Sequence, residues 1–360
     1  MIKLLHAADL HLDAPFSSLS PAKAAQCRRE QRALVQELID CANRSGCDFL
    51  LLAGDVFDSD NVYPDTVESL IRIFASCSAR ILIAPGNHDC LLPGCAYLSA
   101  KWPENVHIFT SETVQTLSFP DLSCRVHGAG FCSAHAQGLL ENFRAPQDGC
   151  TDIMVLHGDA ASPDSDYNAV TKQQIAASNL TYLALGHIHQ SSGLLTAGRT
   201  VYAWPGCLMG RGFDELGQKG AYLVTMEEKK VSLEFVPLST RNYQIFRVPV
   251  GEDACADVLS ALPTHTENDC CRIILTGQSA PIDVRSLYAK LESRFFSLSI
   301  RDETTPKREL WQGMNDDTLR GLFLRALKSQ YDEADEQQKR ILTLSARLGT
   351  AAMEGREEDL

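Results

Sequence analysis

Five short clusters of carboxylate, imidazole and amide side chains could do chemistry in this chain. They are Asp9-Leu10-His11, Gly54-Asp55-Val56-Phe57-Asp58, Gly86-Asn87-His88-Asp89, His157-Gly158-Asp159 and Gly186-His187-Ile188-His189. Their donors are of intermediate hardness, suited to manganese, iron(II) or zinc, and no thiolate stands among them. In a D-x-H turn after a strand, alternate residues project from the same side of extended backbone and aim two ligands at one ion. His187 and His189 repeat that spacing. A carboxylate such as Asp55 has two oxygens and can bridge two ions about 3.5–4 Å apart. Two ions so placed would lower the pKa of a water between them and clamp a phosphoryl oxygen, while a nearby imidazole protonates the leaving group. Taken singly the clusters say little: Asp9 would solvate a strand end, Gly-Asp is a common loop dipeptide, and a lone His157 reads as a hydrogen-bonded core histidine. Together, each behind its own strand, they read as one site.

The elements that must position them follow from the apolar pattern. Residues 2–8 read as a buried strand ending at Asp9, and 48–53 as another ending at Gly54-Asp55. A helix over 24–45 carries Leu34, Val35, Leu38, Ile39 and Ala42 on one face and stops at Gly46. Pro64 opens a second helix, and 80–84 is the strand behind Gly86. Further strands are predicted at 125–130, 152–157, 181–186, 200–204, 220–226 and 231–236. Loops at the carboxyl ends of such strands converge on one crevice. The alternation early and the strand-rich sequence late predict a layered α/β domain with mixed sheets over 1–240. A β-α-β-α-β unit over 241–312 follows as a small α/β capping domain, and 313–360 as a helical tail in which Leu319, Leu322, Phe323, Ala326 and Leu327 share a face.

Composition bounds the partners. At 360 residues the chain is long enough for two domains with full cores, and 44% apolar with 22% charged residues is ordinary for a soluble globular protein. Lys plus Arg total 33 against 46 Asp plus Glu, a net charge of −13, which argues against binding nucleic acid by bulk charge alone. No apolar run approaches the roughly 18 residues a bilayer span needs, and none resembles an export signal, so no membrane partner is expected. Thirteen cysteines, an odd count without a CxxC pair, fit reduced thiols and a cytoplasmic location. The three tryptophans, Trp102, Trp204 and Trp311, are too dispersed for a base-stacking platform.

The motif order D-x-H, GDxxD, GNHD, His-Gly, GHxH resembles that of the calcineurin-like metallophosphoesterase superfamily. The runs His6–Asp13 and Leu51–Asp58 are similar to the SbcD branch of DNA repair nucleases. Tyr202–Gly206, Gly210–Glu215 and Gly217–Val224 are similar to YhaO-type exonuclease homologues. The resemblance covers residues 1–240 and implies a four-layer α/β/β/α sandwich. It implies one metal held by Asp9, His11, Asp55 and His189, and a second held by Asp55, Asn87, His157 and His187. His88 matches the general acid and phosphate-contacting histidine, and Asn87 would stabilise charge on the phosphoryl oxygens. Asp58 does not match a ligand and is expected to orient a neighbour. Arg211 and Lys219, in a glycine-rich segment beside the site, are candidate phosphate contacts. The function implied is a DNA exonuclease using two divalent ions, Mn2+ first with Fe2+ or Zn2+ as substitutes. The alternatives are a phosphodiesterase or phosphatase on small molecules or phosphoproteins, and a subunit serving chiefly to assemble with a coiled-coil ATPase. The SbcD resemblance implies such an SbcC-like partner and a homodimer; the apolar face of the helical tail either packs on the chain's own domain or serves as a docking surface for a partner's helix or coiled coil.

Overall fold

A computed structural model describes residues 1–228, 230–280, 282–306 and 310–353; residues 354–360, the end of the expected tail, lie outside the described residues. By chain contacts the protein forms two compact units. The first comprises Met1–Ile245, Thr264–Arg272 and Leu291–Ser299, and the second Phe246–Pro263, Ile273–Lys290 and Ile300–Leu360.

The first unit is built on two six-stranded sheets. In chain order the strands are β1 (Ile2–Ala7), β2 (Phe49–Leu52), β3 (Arg80–Ile83), β4 (Val106–Ile108), β5 (Gln115–Phe119), β6 (Cys124–Gly128), β7 (Thr151–His157), β8 (Tyr182–Gly186), β9 (Leu195–Ala197), β10 (Thr200–Ala203), β11 (Gly220–Glu227) and β12 (Lys230–Pro237). One sheet runs β12-β11-β1-β2-β3-β4 and the other β5-β6-β7-β8-β10-β9. Strands β1 to β4 are mutually parallel, with Leu4 opposite Phe49 and Phe49 opposite Arg80, while β11 is antiparallel to β1. In the second sheet β6, β7, β8 and β10 are parallel and β5 and β9 are antiparallel edges. Both sheets are therefore mixed, as the sequence pattern predicts.

Alternation along each strand divides the core into three layers of side chains. Leu5 and Ala7 point to helices α1 (Pro21–Arg44) and α2 (Pro64–Ala75), joining Leu34, Val35, Leu38, Leu70 and Phe74, with Tyr97 of the one-turn α3 (Ala96–Ser99) in the same layer. Leu4 and Ala8, one residue out of phase, pack with Phe49, Leu51, Val126, Val155 and Ala184 between the two sheets. Met154, Leu156, Leu183 and Leu185 face the outside of the second sheet, against Ile175 of α4 (Lys172–Ser178). This is the four-layer α/β/β/α arrangement. Helix α1 starts three residues before the expected 24, because Pro21 at its first turn lacks the N–H that would otherwise go unsatisfied there. Within its apolar stripe Gln31 is buried, and its Nε2 donates to the carbonyls of Leu10 (3.3 Å) and His11 (3.1 Å), tying the helix to the first cluster.

Outside the sandwich, the β-α-β-α-β alternation is present as strands Tyr243–Pro249, Cys270–Thr276 and Ser297–Asp302 with helices α5 (Ala254–Ala261) and α6 (Val284–Leu291). The three strands form one sheet with Cys270–Thr276 in the middle. The C-terminal helices are α7 (Leu319–Glu333) and α8 (Glu336–Met353).

His6 sits fully buried between the sheets. Its Nε2 lies 2.9 Å from the Leu185 carbonyl and so carries the proton, which leaves Nδ1 to accept from the Tyr182 hydroxyl at 2.8 Å. Burial, against the opposing hydrogen bond to Leu185, pushes its pKa from 6.5 down to about 3. The unfolded chain thus binds a proton at pH 6.5 that the folded chain refuses until about pH 3. This contribution to stability is complete above pH 6.5 and is lost progressively as pH falls toward 3, with a slope of up to about 1.4 kcal/mol per pH unit. Urea unfolding in chelator at pH 7, 6, 5 and 4.5 should show this slope, and His6→Phe should flatten it by up to that amount. An equal slope in the variant would assign the acid lability to other groups.

Candidate metal centre

All five clusters lie at the carboxyl ends of parallel strands on one side of the sandwich. Asp9 follows β1, Asp55 follows β2, the Gly86–Asp89 loop follows β3, His157 ends β7, and His187 follows β8. Beyond the strands, the first two clusters continue side by side: Asp9 N donates to Gly54 O, His11 N to Asp55 O and Leu12 N to Val56 O. Close backbone approach is required where the two sheets meet. A Cβ on Gly186 would lie 1.9 Å from Ala53 O, and one on Gly54 (φ +86°) would lie 2.2 Å from the His157 ring. Asp9 (φ 53°), His11 (45°), Asp55 (51°) and His187 (88°) all adopt left-handed backbone, a cluster of strained residues typical of functional sites.

The donor atoms converge in two groups. In the first, His11 Nε2 is 3.2 Å from His189 Nε2 and 3.8 Å from Asp55 Oδ2, and His189 Nε2 is 3.9 Å from Asp9 Oδ1. In the second, His157 Nε2 is 2.9 Å from Asn87 Oδ1 and 3.4 Å from Asp55 Oδ2, and His187 Nδ1 is 3.3 Å from Asn87 Oδ1. Donors bound to one ion at about 2.1 Å stand roughly 3.0–3.4 Å apart, so the closest of these separations suit shared coordination. Asp55 Oδ2 belongs to both groups. Among the described residues, donors of Asp9, His11 and His189, of Asp9, Asp55 and His157, and of His11, Asp58 and His88 each lie within 4.8 Å of one another.

The hydrogen bonds behind the imidazoles make the fit chemical as well as spatial. His189 Nδ1 is 2.7 Å from Glu215 Oε1 and 3.2 Å from Arg211 Nη2, and its Nε2 is turned toward His11 Nε2. His157 Nδ1 donates to Ala53 O at 2.9 Å, so its Nε2 faces two oxygens. Lone pairs opposed at these distances repel unless a cation or a proton lies between them. The protonation states agree. Burial opposes a charge on His157, yet the Asp55 carboxylate outweighs it and raises the pKa to about 9. Burial likewise opposes ionisation of Asp55, but His157, His11 and His88 hold it well below the usual carboxylate range. This pocket selects positive charge.

Other predicted residues occupy distinct places. His88 is exposed; its backbone N–H donates to Asp55 Oδ1 (3.0 Å) and its Nδ1 to Asp58 O (2.9 Å). Asp58 Oδ1 lies 3.2 Å from His11 Nδ1, without the alignment of a hydrogen bond, and 2.8 Å from Arg211 Nη1. Asp89 accepts from the N–H groups of Val56 (2.7 Å) and Gly86 (2.7 Å) and from the Tyr97 hydroxyl (2.5 Å), locking the second and third clusters together. Asp159 accepts from Ala161 N and Ser162 N in its own turn. The candidate phosphate contacts are engaged within the protein: Lys219 is buried with Nζ on His189 O (3.0 Å), and Arg211 binds Asp58 and Glu215. Glu215, 4% exposed, has no assigned role in the sequence reading, where it figures only as the last residue of the Gly210–Glu215 stretch.

Comparison with known proteins agrees with this geometry. Residues 2–191 match the family of calcineurin-like phosphoesterases. The chain belongs to that family. It is 32% identical over 296 residues to an uncharacterized metallophosphoesterase of Bacillus subtilis (strain 168), YhaO, covering 77% of this chain and 72% of that relative. Solved structures similar to it include TT1561 of Thermus thermophilus (12% identity, TM-score 0.41, 65% of this chain and 98% of that one). A dimetal phosphatase from Danio rerio matches at 12% identity and a TM-score of 0.43, over 65% of this chain and 95% of that one. The protein is thus a metallophosphoesterase, a hydrolase whose His/Asp clusters fit a dimetal site. No helix among the described residues is long and apolar enough to cross a membrane.

Proposed function

We propose that this metallophosphoesterase is a manganese-dependent DNA exonuclease acting in repair in the cytoplasm. The observation that carries phosphoester hydrolysis is the pair of converging donor sets sharing Asp55 Oδ2, with exposed His88 beside them. One ion would be held by Asp9, His11, Asp55 and His189, and the other by Asp55, Asn87, His157 and His187. When bound, the ions supply Lewis-acid activation of water and of the phosphoryl group. His88 handles the proton: the Asp58 carbonyl takes Nδ1–H, so the proton passed to the departing sugar oxygen sits on Nε2. The amide of Asn87, fixed between His157 and His187, keeps its donor end for the phosphoryl oxygens.

DNA as the substrate is supported by the similarity of residues 202–224 to YhaO-type exonuclease homologues. An SbcC-like coiled-coil ATPase would supply the DNA affinity that a chain of net charge −13 lacks. The exposed Leu319, Leu322, Ile341 and Leu344 of α7 and α8 offer such a partner an apolar face, and a homodimer is part of the same reading. The test compares end-labelled linear and closed circular duplex DNA with Mn2+ or chelator. Loss of label from the linear form alone, only with Mn2+, and weakening steeply with salt, is expected. Untouched DNA beside rapid, salt-insensitive hydrolysis of bis(p-nitrophenyl) phosphate would replace this reading with a small-molecule phosphodiesterase.

A further inference from the structure

We propose that Arg211 and Glu215 are positioning residues that hold His11 and His189 as a preformed pair, and thereby tune one of the two metal positions and not the other. The inference rests on the two-ion reading above. The atoms close a ring. From His189 Nδ1 the path runs to Glu215 Oε1 (2.7 Å), to Arg211 Nη2 (2.9 Å), and through the guanidinium from Nη1 to Asp58 Oδ1 (2.8 Å). It continues to His11 Nδ1 (3.2 Å) and returns from His11 Nε2 to His189 Nε2 (3.2 Å). Glu215 is further fixed by Arg211 N on Oε2 at 2.7 Å, and Lys219 Nζ and Cys207 N both donate to the carbonyl of His189. A carboxylate behind an imidazole fixes its tautomer and raises its basicity as a ligand. Glu215 stands in that place behind His189, Asp58 lies 3.2 Å from the His11 ring without hydrogen-bond alignment, and a single guanidinium spans both carboxylates.

The other position lacks this support. His157 is backed by the neutral carbonyl of Ala53, and the acid nearest His187 Nε2 is Asp159 at 4.0 Å. Glu215 is buried, so its carboxylate faces the ring rather than solvent. The planar fork is essential, because an ammonium is a point charge that cannot bridge Asp58 and Glu215 in fixed directions.

The test titrates the full chain with Mn2+ and follows free ion by electron paramagnetic resonance, for wild type, Arg211→Lys, Glu215→Gln and Asp58→Asn. Melting of each metal-free protein checks the fold, and Asp58→Asn approaches the ring from its other side should Glu215→Gln unfold. Wild type should bind two ions. The variants should lose about 10–100-fold in affinity for one of them and keep the other. Arg211→Lys should fail to restore it although the charge is retained, and kcat on bis(p-nitrophenyl) phosphate should recover at high Mn2+ with KM unchanged. Wild-type affinity for both ions in all variants would overturn the inference. So would a raised KM at unaltered metal affinity, which would make Arg211 a phosphate contact. Fewer than two ions on wild type would instead bring down the two-ion reading itself.

Discussion

Asp55→Ala should bind neither ion at concentrations that fill both positions of the wild type, and should hydrolyse any phosphoester at least ~10³-fold more slowly, about 4 kcal/mol in barrier height. The expectation is large because one side chain serves three groups. Its Oδ2 is 3.8 Å from His11 Nε2 and 3.4 Å from His157 Nε2, so its removal takes a donor from both sets. Its Oδ1 accepts the backbone N–H of His88 at 3.0 Å, so the loop bearing the proposed acid loses its anchor as well. The fit is close: a Cβ on Gly86 would come within 2.2 Å of Oδ1. Removing the carboxylate also strips His157 of the largest charge that favours its protonated form, leaving a fully buried imidazole with Asn87 at its Nε2 and Asp9 as the remaining carboxylate nearby. Asp55→Asn, which keeps one oxygen, should retain part of the affinity. Metal analysis of the purified variant and hydrolysis of bis(p-nitrophenyl) phosphate check both claims. Two retained ions with full activity would remove Asp55 from the bridging role.

The positions of the five clusters were legible because each follows a run of apolar residues that can only be a buried strand: Phe49–Leu52 and Tyr182–Gly186 are buried at every position. Three of the four edge strands were not. Gln115–Phe119 alternates half-buried with exposed residues and has no apolar run to announce it, and Val106–Ile108 and Leu195–Ala197 are three residues each. Lys219 and Arg211 show the limit of reading charge from sequence. In the sequence they are candidate phosphate contacts in a glycine-rich segment, whereas Cys207 N and Lys219 Nζ draw that segment back onto His189. The carboxylate that matches their charge, Glu215, becomes identifiable only once the loop is folded. Asp58 is expected from sequence to orient a neighbour, but the sequence does not say which: His11 is forty-seven positions earlier in a different loop, and the contact depends on the two clusters running side by side.

His88→Gln should separate proton transfer from metal binding. The backbone N–H of residue 88, not its side chain, bonds Asp55, so the variant should keep both ions and the loop conformation. The lost group is an exposed imidazole whose Nδ1 is pinned to the Asp58 carbonyl and whose Nε2 is left to face substrate. A sugar alkoxide is a poor leaving group and needs that proton, so the rate on DNA should fall by about 10²–10⁴-fold. A p-nitrophenolate departs without protonation, and hydrolysis of bis(p-nitrophenyl) phosphate should fall far less. The ratio of the two losses is the measurement, since general damage to the site would lower both rates together. Equal losses on the two substrates, with metal content intact, would assign His88 to binding the phosphate and require another source for the proton.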